Sequence, residues 1–274
     1  MARASSNKER AVFGEQRLVR EDIGILQRAF FRSVGIADPA HFLHNLYLRR
    51  ALDRRAVAPP RQILDAGCGA GDHSIYLARR FPQAEVLGVD IQEELIERNR
   101  IVAGRLGLRN VSFEVADITT FSSKKQFDLI TSIDVLEHIL DQRRALERLA
   151  AHLSPGGAAY LHIPTVRSRP VPLSRWLGAF HEWAEEEHVA MELTPERFAD
   201  ELVTAGFKVV HCERTFGYWT GELATSLFAL PYRNSLVNRF FQLLLALPCR
   251  GLAWADVLGV DKVRFAVGVL VEGR

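Results

Sequence analysis

The stretch that most constrains this chain is Ile63-Leu64-Asp65-Ala66-Gly67-Cys68-Gly69-Ala70-Gly71-Asp72-His73-Ser74. Two apolar residues closing on an acid, three glycines at alternate positions and a helical pattern behind them predict a strand, a tight loop and a helix. That geometry holds a nucleotide-like cofactor. Glycines suit such a loop because its dihedrals are unusual and because nothing can project where backbone meets ligand. One strand-helix unit later, Glu85-Val86-Leu87-Gly88-Val89-Asp90 runs into a second acid, placed to accept from both hydroxyls of a ribose. A nicotinamide dehydrogenase would share both features. The next strand, Val111 to Ile118, separates the two readings because it ends in another acid, Asp117, suited to an exocyclic adenine amine.

The fourth run, Phe127 to Ile133, continues as Asp134-Val135-Leu136-Glu137-His138, and Leu153-Ser154-Pro155-Gly156-Gly157 precedes a fifth. With five motifs in this order, the chain closely resembles the class I S-adenosylmethionine-dependent methyltransferases over roughly Gln62 to Gly206. The resemblance implies an α/β fold, a doubly wound Rossmann-like sheet that is parallel except for an antiparallel last strand, and S-adenosyl-L-methionine as cofactor. It implies that the backbone of Gly67, Cys68, Gly69 and Gly71 binds the methionine moiety and that Asp65 orients its amino group, directly or through water. Asp90 would take the ribose, with Ile91 counted beside it, and Asp117 with the Ile118 amide would take the adenine. Ile133 and Asp134 would line the methionine and sulfonium region.

The remaining sequence bounds the acceptor. The 274 residues are 48% hydrophobic and 25% charged, an ordinary globular balance. Cys68, Cys212 and Cys249 are far apart and form no paired motif, which argues for a reducing compartment and against structural zinc; no metal is expected. Net charge is +2, but residues 1–60 carry 11 Lys and Arg against 6 Asp and Glu, whereas residues 61–213 carry 17 against 23. An acidic middle does not suit a nucleic-acid substrate. The basic, small-residue start, Met1 to Arg10, has no apolar core of a signal peptide, so a cytoplasmic location is expected, with membrane association left open.

Residues 1–58 are expected to be a tail and, in a helical pattern from Glu15 to about Arg55 with a break at Asp38-Pro39, either a helical lid over the cofactor pocket or a helix pair packed on the sheet edge, and residues 59–274 the methyltransferase domain. Helices are expected over about His73–Phe81, Glu93–Leu106 and Asp141–Leu153, and after Thr194-Pro195. Between a sixth strand, Phe207–Cys212, and a last one, Arg264–Val271, an insertion at about 215–262 departs from the family's plain pattern. Its leucines at helical spacing, with basic flanks, leave three roles open: a peripheral membrane contact through residues 223–250, a wall of a lipophilic substrate tunnel, or packing on the core or in a homodimer.

An oxygen acceptor needs a general base, usually histidine. Relatives that methylate amide or adenine nitrogens carry Asn/Asp-Pro-Pro-Tyr/Phe after strand four, where this chain has Ser132-Ile133-Asp134-Val135. Of the nine histidines, His138, His162, His181 and His188 fall near the expected pocket, His138 at the expected start of the helix after strand four, and His188 and His138 are the candidate bases. The cluster Glu182, Glu185, Glu186 with His181 and His188 reads as a solvated face rather than a metal site. The reading is therefore methyl transfer to a small-molecule or lipid-like acceptor, most simply at oxygen. The alternatives are C-methylation of a lipid or quinone (with Trp176, Trp183 or Trp219 facing a developing cation), an NAD-dependent oxidoreductase, and a non-catalytic cofactor-binding module.

Overall fold

The computed structural model describes residues 12–36, 38–54, 59–164, 194–217, 235–258 and 264–273. Before the sheet come a 3-10 turn at Glu15–Leu18, helix α1 (Ile25–Val34) and helix α2 (Pro39–Arg54). Then β1 (Gln62–Ala66), α3 (Asp72–Arg80), β2 (Glu85–Asp90), α4 (Glu93–Arg105), β3 (Val111–Val115) and β4 (Phe127–Ile133) alternate. They are followed by α5 (Gln142–His152), β5 (Leu153–Pro164), α6 (Pro195–Thr204), β6 (Phe207–Gly217), α7 (Ser235–Val257) and β7 (Arg264–Gly273). The seven strands form one sheet in the order β3-β2-β1-β4-β5-β7-β6. Pairing is parallel from β3 through β5, and β7 lies antiparallel between β5 and β6, as the sequence implied.

Because side chains alternate across a strand, neighbouring residues serve opposite layers. Leu64, Ile130, Ala159 and Leu161 join Leu146, Leu149, Phe198 and Leu202 on the face covered by α5 and α6. Ile63, Leu129 and Tyr160 join Tyr76 and Leu77 of α3 on the other. Each fully buried leucine or phenylalanine contributes about 1.5–3 kcal/mol. Phe13, Phe31, Leu48 and Leu52 enter this second layer, so the segment ahead of β1 is part of the core on that face.

Local signals set most helix ends. Asp38 accepts from the Ala40 and His41 amides at 2.8 and 3.1 Å and opens α2 with Pro39 in its first turn. Asp141 and Thr194 cap α5 and α6 through the Arg144 and Arg197 amides. Three expectations change. The helical pattern read from Glu15 is broken at Gly24, which caps α1, because Arg20 closes a local ion pair on Asp22 and accepts Arg28 on its carbonyl. His138 does not start a helix: it ends a 3-10 turn, Leu136–His138, and α5 begins only after Asp141. β6 extends five residues past Cys212. Its polar end is satisfied inside the fold, with Glu213 paired to Arg50 at 3.0 Å and Arg54 at 2.5 Å, and Thr215 bonded to His162.

Of the insertion, α7 is described, and it packs on α2. Arg50 Nη1 donates to the Val257 carbonyl at 3.0 Å, and the Arg250 guanidinium stands 4.5 Å from the centre of the Phe42 ring. Leu244, Leu247, Trp254 and Leu258 lie exposed on one side of it. Among the described residues no helix is long and apolar enough to cross a membrane. The insertion residues 218–234, the acidic cluster with His181 and His188, and Trp176, Trp183 and Trp219 lie outside the described residues.

Candidate active site

Strand order reverses between β1 and β4, and the crevice at their carboxyl ends is where open α/β sheets bind ligands. The glycine loop fills the mouth of that crevice. The Gly67 and Cys68 amides both donate to the Val89 carbonyl, at 2.8 and 2.9 Å, and the Gly71 amide donates to the Cys68 carbonyl at 2.8 Å. Gly67 has φ 77°, and a Cβ there would overlap both γ-methyls of Val135, so the loop rests directly on the turn after β4. Gly69 has φ 48° and nothing within 4 Å of where its Cβ would stand. The loop thus presents bare backbone to open space, as close approach of a ligand requires. Asn99, a residue the motifs did not single out, donates to the Gly69 carbonyl at 2.8 Å and holds the loop from α4.

The acids divide into two kinds. Asp65 is buried behind the loop, where Ser74 Oγ donates to one oxygen at 2.6 Å and Thr131 Oγ1 to the other at 2.7 Å. Burial pushes its carboxyl up to about 6 against those two bonds. Asp90 ends β2 and accepts the Gly69 amide at 2.8 Å and the Gln92 amide at 3.0 Å. Ile91, next to it, is 68% exposed, an apolar side chain open for a flat ring to cover. Asp117 is exposed and accepts the Thr119 amide and hydroxyl at 2.8 Å each, while Ile118 is buried in the core beneath it. The Cys68 thiol is buried and its pKa raised by that burial, so it stays protonated. Ile133 pairs with His162 in the sheet.

Asp134 is the unusual residue. Its φ is 52°, a left-handed conformation uncommon outside glycine, and its amide donates to the His162 carbonyl at 3.0 Å. Oδ1 meets His162 Nδ1 at 2.7 Å, and Oδ2 lies 2.9 Å from His44 Nε2, though off the line of a well-aligned hydrogen bond. On its far side His162 Nε2 meets Thr215 Oγ1 at 2.9 Å. Burial works against ionisation of Asp134, but the two imidazoles outweigh it and hold the carboxyl well below its usual range. The mirror effect appears at Glu137, where burial and the Asp134 charge raise the carboxyl well above the usual range.

Buried polar atoms with no hydrogen-bond partner among the described residues lie on the elements that carry the array, His44 Nε2 and Asn45 Oδ1 on α2, His73 Nε2 on α3 and Ser132 Oγ on β4, and at both amide atoms of Gln16. Burial lowers His73 to about 3, so it is a neutral imidazole at ordinary pH. Orphaned buried groups cost about 1–3 kcal/mol each and fit a site built for a polar ligand. Together with the bare loop at Gly69, they fit a sulfonium nucleoside with an amino-acid tail. Of the two candidate bases, His138 is 41% exposed with Nε2 4.0 Å from Glu137 Oε1, and His188 lies outside the described residues. His162 belongs to the array. His44 is in it too, and nothing in its own stretch of sequence announced that.

The comparisons agree with this geometry. A family model described as a methyltransferase domain matches residues 40–212. Trans-aconitate 2-methyltransferase of Deinococcus radiodurans is 34% identical over 164 residues, 56% of this chain and 61% of that one. Ubiquinone biosynthesis O-methyltransferase of Coxiella burnetii is 30% identical over 150 residues, 53% and 62% respectively. The chain thus spans less than two thirds of the length of these relatives. Among solved structures, coclaurine N-methyltransferase bound to N-methylheliamine and SAH superposes with a TM-score of 0.59 at 17% identity, covering 98% of this chain and 84% of that one, a likeness of fold. With well over half its length matched, the chain belongs to the methyltransferase domain family, in the class I, S-adenosylmethionine-dependent group.

Proposed function

We propose that this protein transfers a methyl group from S-adenosylmethionine to an oxygen of a small-molecule acceptor. When bound, the cofactor supplies an electrophilic methyl carbon whose sulfur departs as a neutral thioether. The chain's part is to hold donor and acceptor in line, exclude water and take up the acceptor's proton. The backbone of Gly67, Cys68, Gly69 and Gly71, with Asp90, Ile91, Asp117, Ile118, Ile133 and Asp134, would hold the cofactor, and Asp65 supports the loop from behind. The observation that carries the oxygen reading is the group of imidazoles in front of β4, His44, His73 and His162 around Asp134. A hydroxyl must lose a proton as its oxygen is alkylated, and that requires a nearby proton acceptor.

The relatives name both oxygen and nitrogen methylation, so they support a small-molecule acceptor without deciding the atom. The lipid-like acceptor and the bilayer contact keep one support, the exposed apolar side of α7. A cytoplasmic location remains part of the same reading. Incubation with methyl-labelled S-adenosylmethionine and a panel of carboxylic acids, phenols, amines and quinones tests the proposal. Label recovered as an ester or ether supports it. Label on carbon or nitrogen overturns the oxygen assignment, and cofactor binding without S-adenosylhomocysteine formed on any acceptor favours the non-catalytic module.

A further inference from the structure

We infer that His44, carried by the helix ahead of the sheet, is the residue that takes the acceptor's proton, through Nδ1, and that Asp134, His162 and Thr215 form the chain that aims it. This rests on the oxygen reading above and names the base within it.

The proton positions follow from the array itself. Asp134 has one oxygen on each ring, at 2.7 Å from His162 Nδ1 and 2.9 Å from His44 Nε2. A carboxylate accepts and does not donate, so His162 Nδ1 carries the hydrogen of its bond; His44 Nε2, at ion-pair distance but off a hydrogen bond's line, is set as the N–H nitrogen because a lone pair there would face the carboxylate's negative charge. With its proton on Nδ1, neutral His162 offers Nε2 as an acceptor, and the Thr215 hydroxyl donates to it at 2.9 Å. With its proton on Nε2, His44 has its lone pair on Nδ1, the ring nitrogen turned away from Asp134. Of the two imidazoles that meet Asp134, His44 is therefore the one whose basic atom is not already spent on a described residue.

Access separates the rings as well. The His162 side chain is 2% exposed, closed off by Tyr160, Phe216 and His44, and cannot meet a ligand. The His44 side chain keeps 12% exposure, enough for one ring edge. Its ring is fixed on two further sides, by Phe216 with ring centres 4.8 Å apart and by His162 at 5.0 Å, edge-on. His138, the family-motif histidine, stands 4.0 Å from Glu137 Oε1, a carboxyl that burial and the Asp134 charge raise well above its usual range and so a weaker partner for an imidazolium than Asp134. The left-handed backbone at Asp134, a conformation costing on the order of 1 kcal/mol or more outside glycine, is maintained where it points the carboxylate at two rings.

Once the proton has moved to Nδ1, the His44 imidazolium faces the Asp134 carboxylate, which stabilises it, and the acceptor oxygen is left with the electron pair that forms its new bond to carbon. The titratable groups that face His44 are His73 on α3 and Asp134 and His162 at the sheet.

The test uses the full-length protein and three readouts. First, turnover against pH in the wild type and in His44→Gln, on the hydroxyl or phenol acceptor the panel above identifies: His44→Gln should lower kcat by roughly 10²–10⁴-fold and lose the acid limb of the profile, while S-adenosylhomocysteine affinity by calorimetry stays within about twofold; a carboxylate acceptor, already ionised, would leave no proton to take and overturn the inference. Second, long-range ¹H–¹⁵N imidazole spectra, which need no acceptor: His44 should be the Nε2–H tautomer in the wild type and lose that fixed tautomer in His162→Gln. Third, Thr215→Ser should keep the wild-type acid limb and Thr215→Val should shift it, a response that a purely structural hydroxyl would not give. Wild-type kcat and acid limb in His44→Gln, or a His44 Nδ1–H tautomer, overturns the inference. Turnover lost in His138→Gln but kept in His44→Gln overturns it in favour of the motif histidine. EDTA-sensitive turnover restored by a divalent cation would give His44, Asp134 and His162, whose ligand atoms lie within 4.8 Å of one another, to a metal and equally overturn it. Methylation at nitrogen or carbon with the Nε2–H tautomer intact would instead overturn the oxygen reading alone.

Discussion

Tyr47 Oη donates to Asp256 Oδ2 at 2.8 Å across 209 positions of the chain, and both side chains are buried. The other oxygen of Asp256 accepts the Gly217 amide at 2.6 Å. One carboxylate therefore joins α2, the end of β6 and the insertion helix α7. Since α2 also carries His44, the insertion helix steadies the element that faces the pocket, whatever its exposed side does.

Tyr47→Phe should accordingly lower stability by about 1–3 kcal/mol, the range for removing a buried hydrogen bond to a charged group. Chemical denaturation measures this directly. S-adenosylhomocysteine affinity should change by no more than about twofold, because the residues proposed to hold the cofactor lie on other elements. An unchanged denaturation midpoint would mean that α7 is not fastened to α2 through this pair.

The fold was legible because every strand of the cofactor half announces itself as an apolar run closing on an acid, and because Asp38, Asp141 and Thr194 stand where caps belong. What could not be read were pairings between distant stretches. Thr215 and Glu213 look like loop residues until His162 and Arg50 are seen beside them, so β6 was read five residues short. His44 sits in an amphipathic helix with no local sign of chemistry, and only the fold brings it 90 positions back onto Asp134. Asp65 meets the same limit. The motif shows only the acid, whereas its oxygens accept from Ser74 and Thr131, partners from a helix and a strand that no spacing rule couples to it.

Asp90→Ala should weaken S-adenosylhomocysteine binding by about 1–3 kcal/mol. Two effects would act together: the ribose loses the acceptor proposed for it, and the Gly69 amide, now held at 2.8 Å, is released. Titration calorimetry checks the loss. Unchanged affinity would remove Asp90 from the binding site and leave it a loop brace.

The two glycines of the loop should respond differently to the same substitution. Gly67→Ala drives a methyl group into the Val135 side chain and keeps a left-handed backbone, so it should cost several kcal/mol, with part recovered in Gly67→Ala/Val135→Ala. Gly69→Ala meets nothing within 4 Å and should cost only the backbone strain, about 1 kcal/mol. Its added methyl stands in the space assigned to the cofactor, however, so binding should be lost while the protein stays folded. Thermal melts with and without S-adenosylhomocysteine separate the cases, and a Gly69→Ala protein stabilised by ligand as well as the wild type would mean that the cofactor does not approach this backbone.

Asp65 makes a prediction about pH whose sign is opposite to that of a paired surface acid. Its folded pKa is raised to about 6 from an ordinary 3.8, chiefly by burial. The folded state therefore binds this proton more tightly than the unfolded chain does. Stability from this group is fully present below the unfolded value and is lost as pH rises through about 6. The amide introduced by Asp65→Asn cannot titrate, yet it can still accept from one hydroxyl of the Ser74 and Thr131 pair and donate to the other. The stability of the wild type minus that of Asp65→Asn should thus increase by about 2 kcal/mol as pH falls from about 7 to about 4.5, the other acids cancelling in the difference. Urea unfolding of both proteins across that range gives the difference curve. A flat curve would show Asp65 ionising at its ordinary pKa, and with that the closed, water-free setting of the carboxylate behind the glycine loop would be wrong.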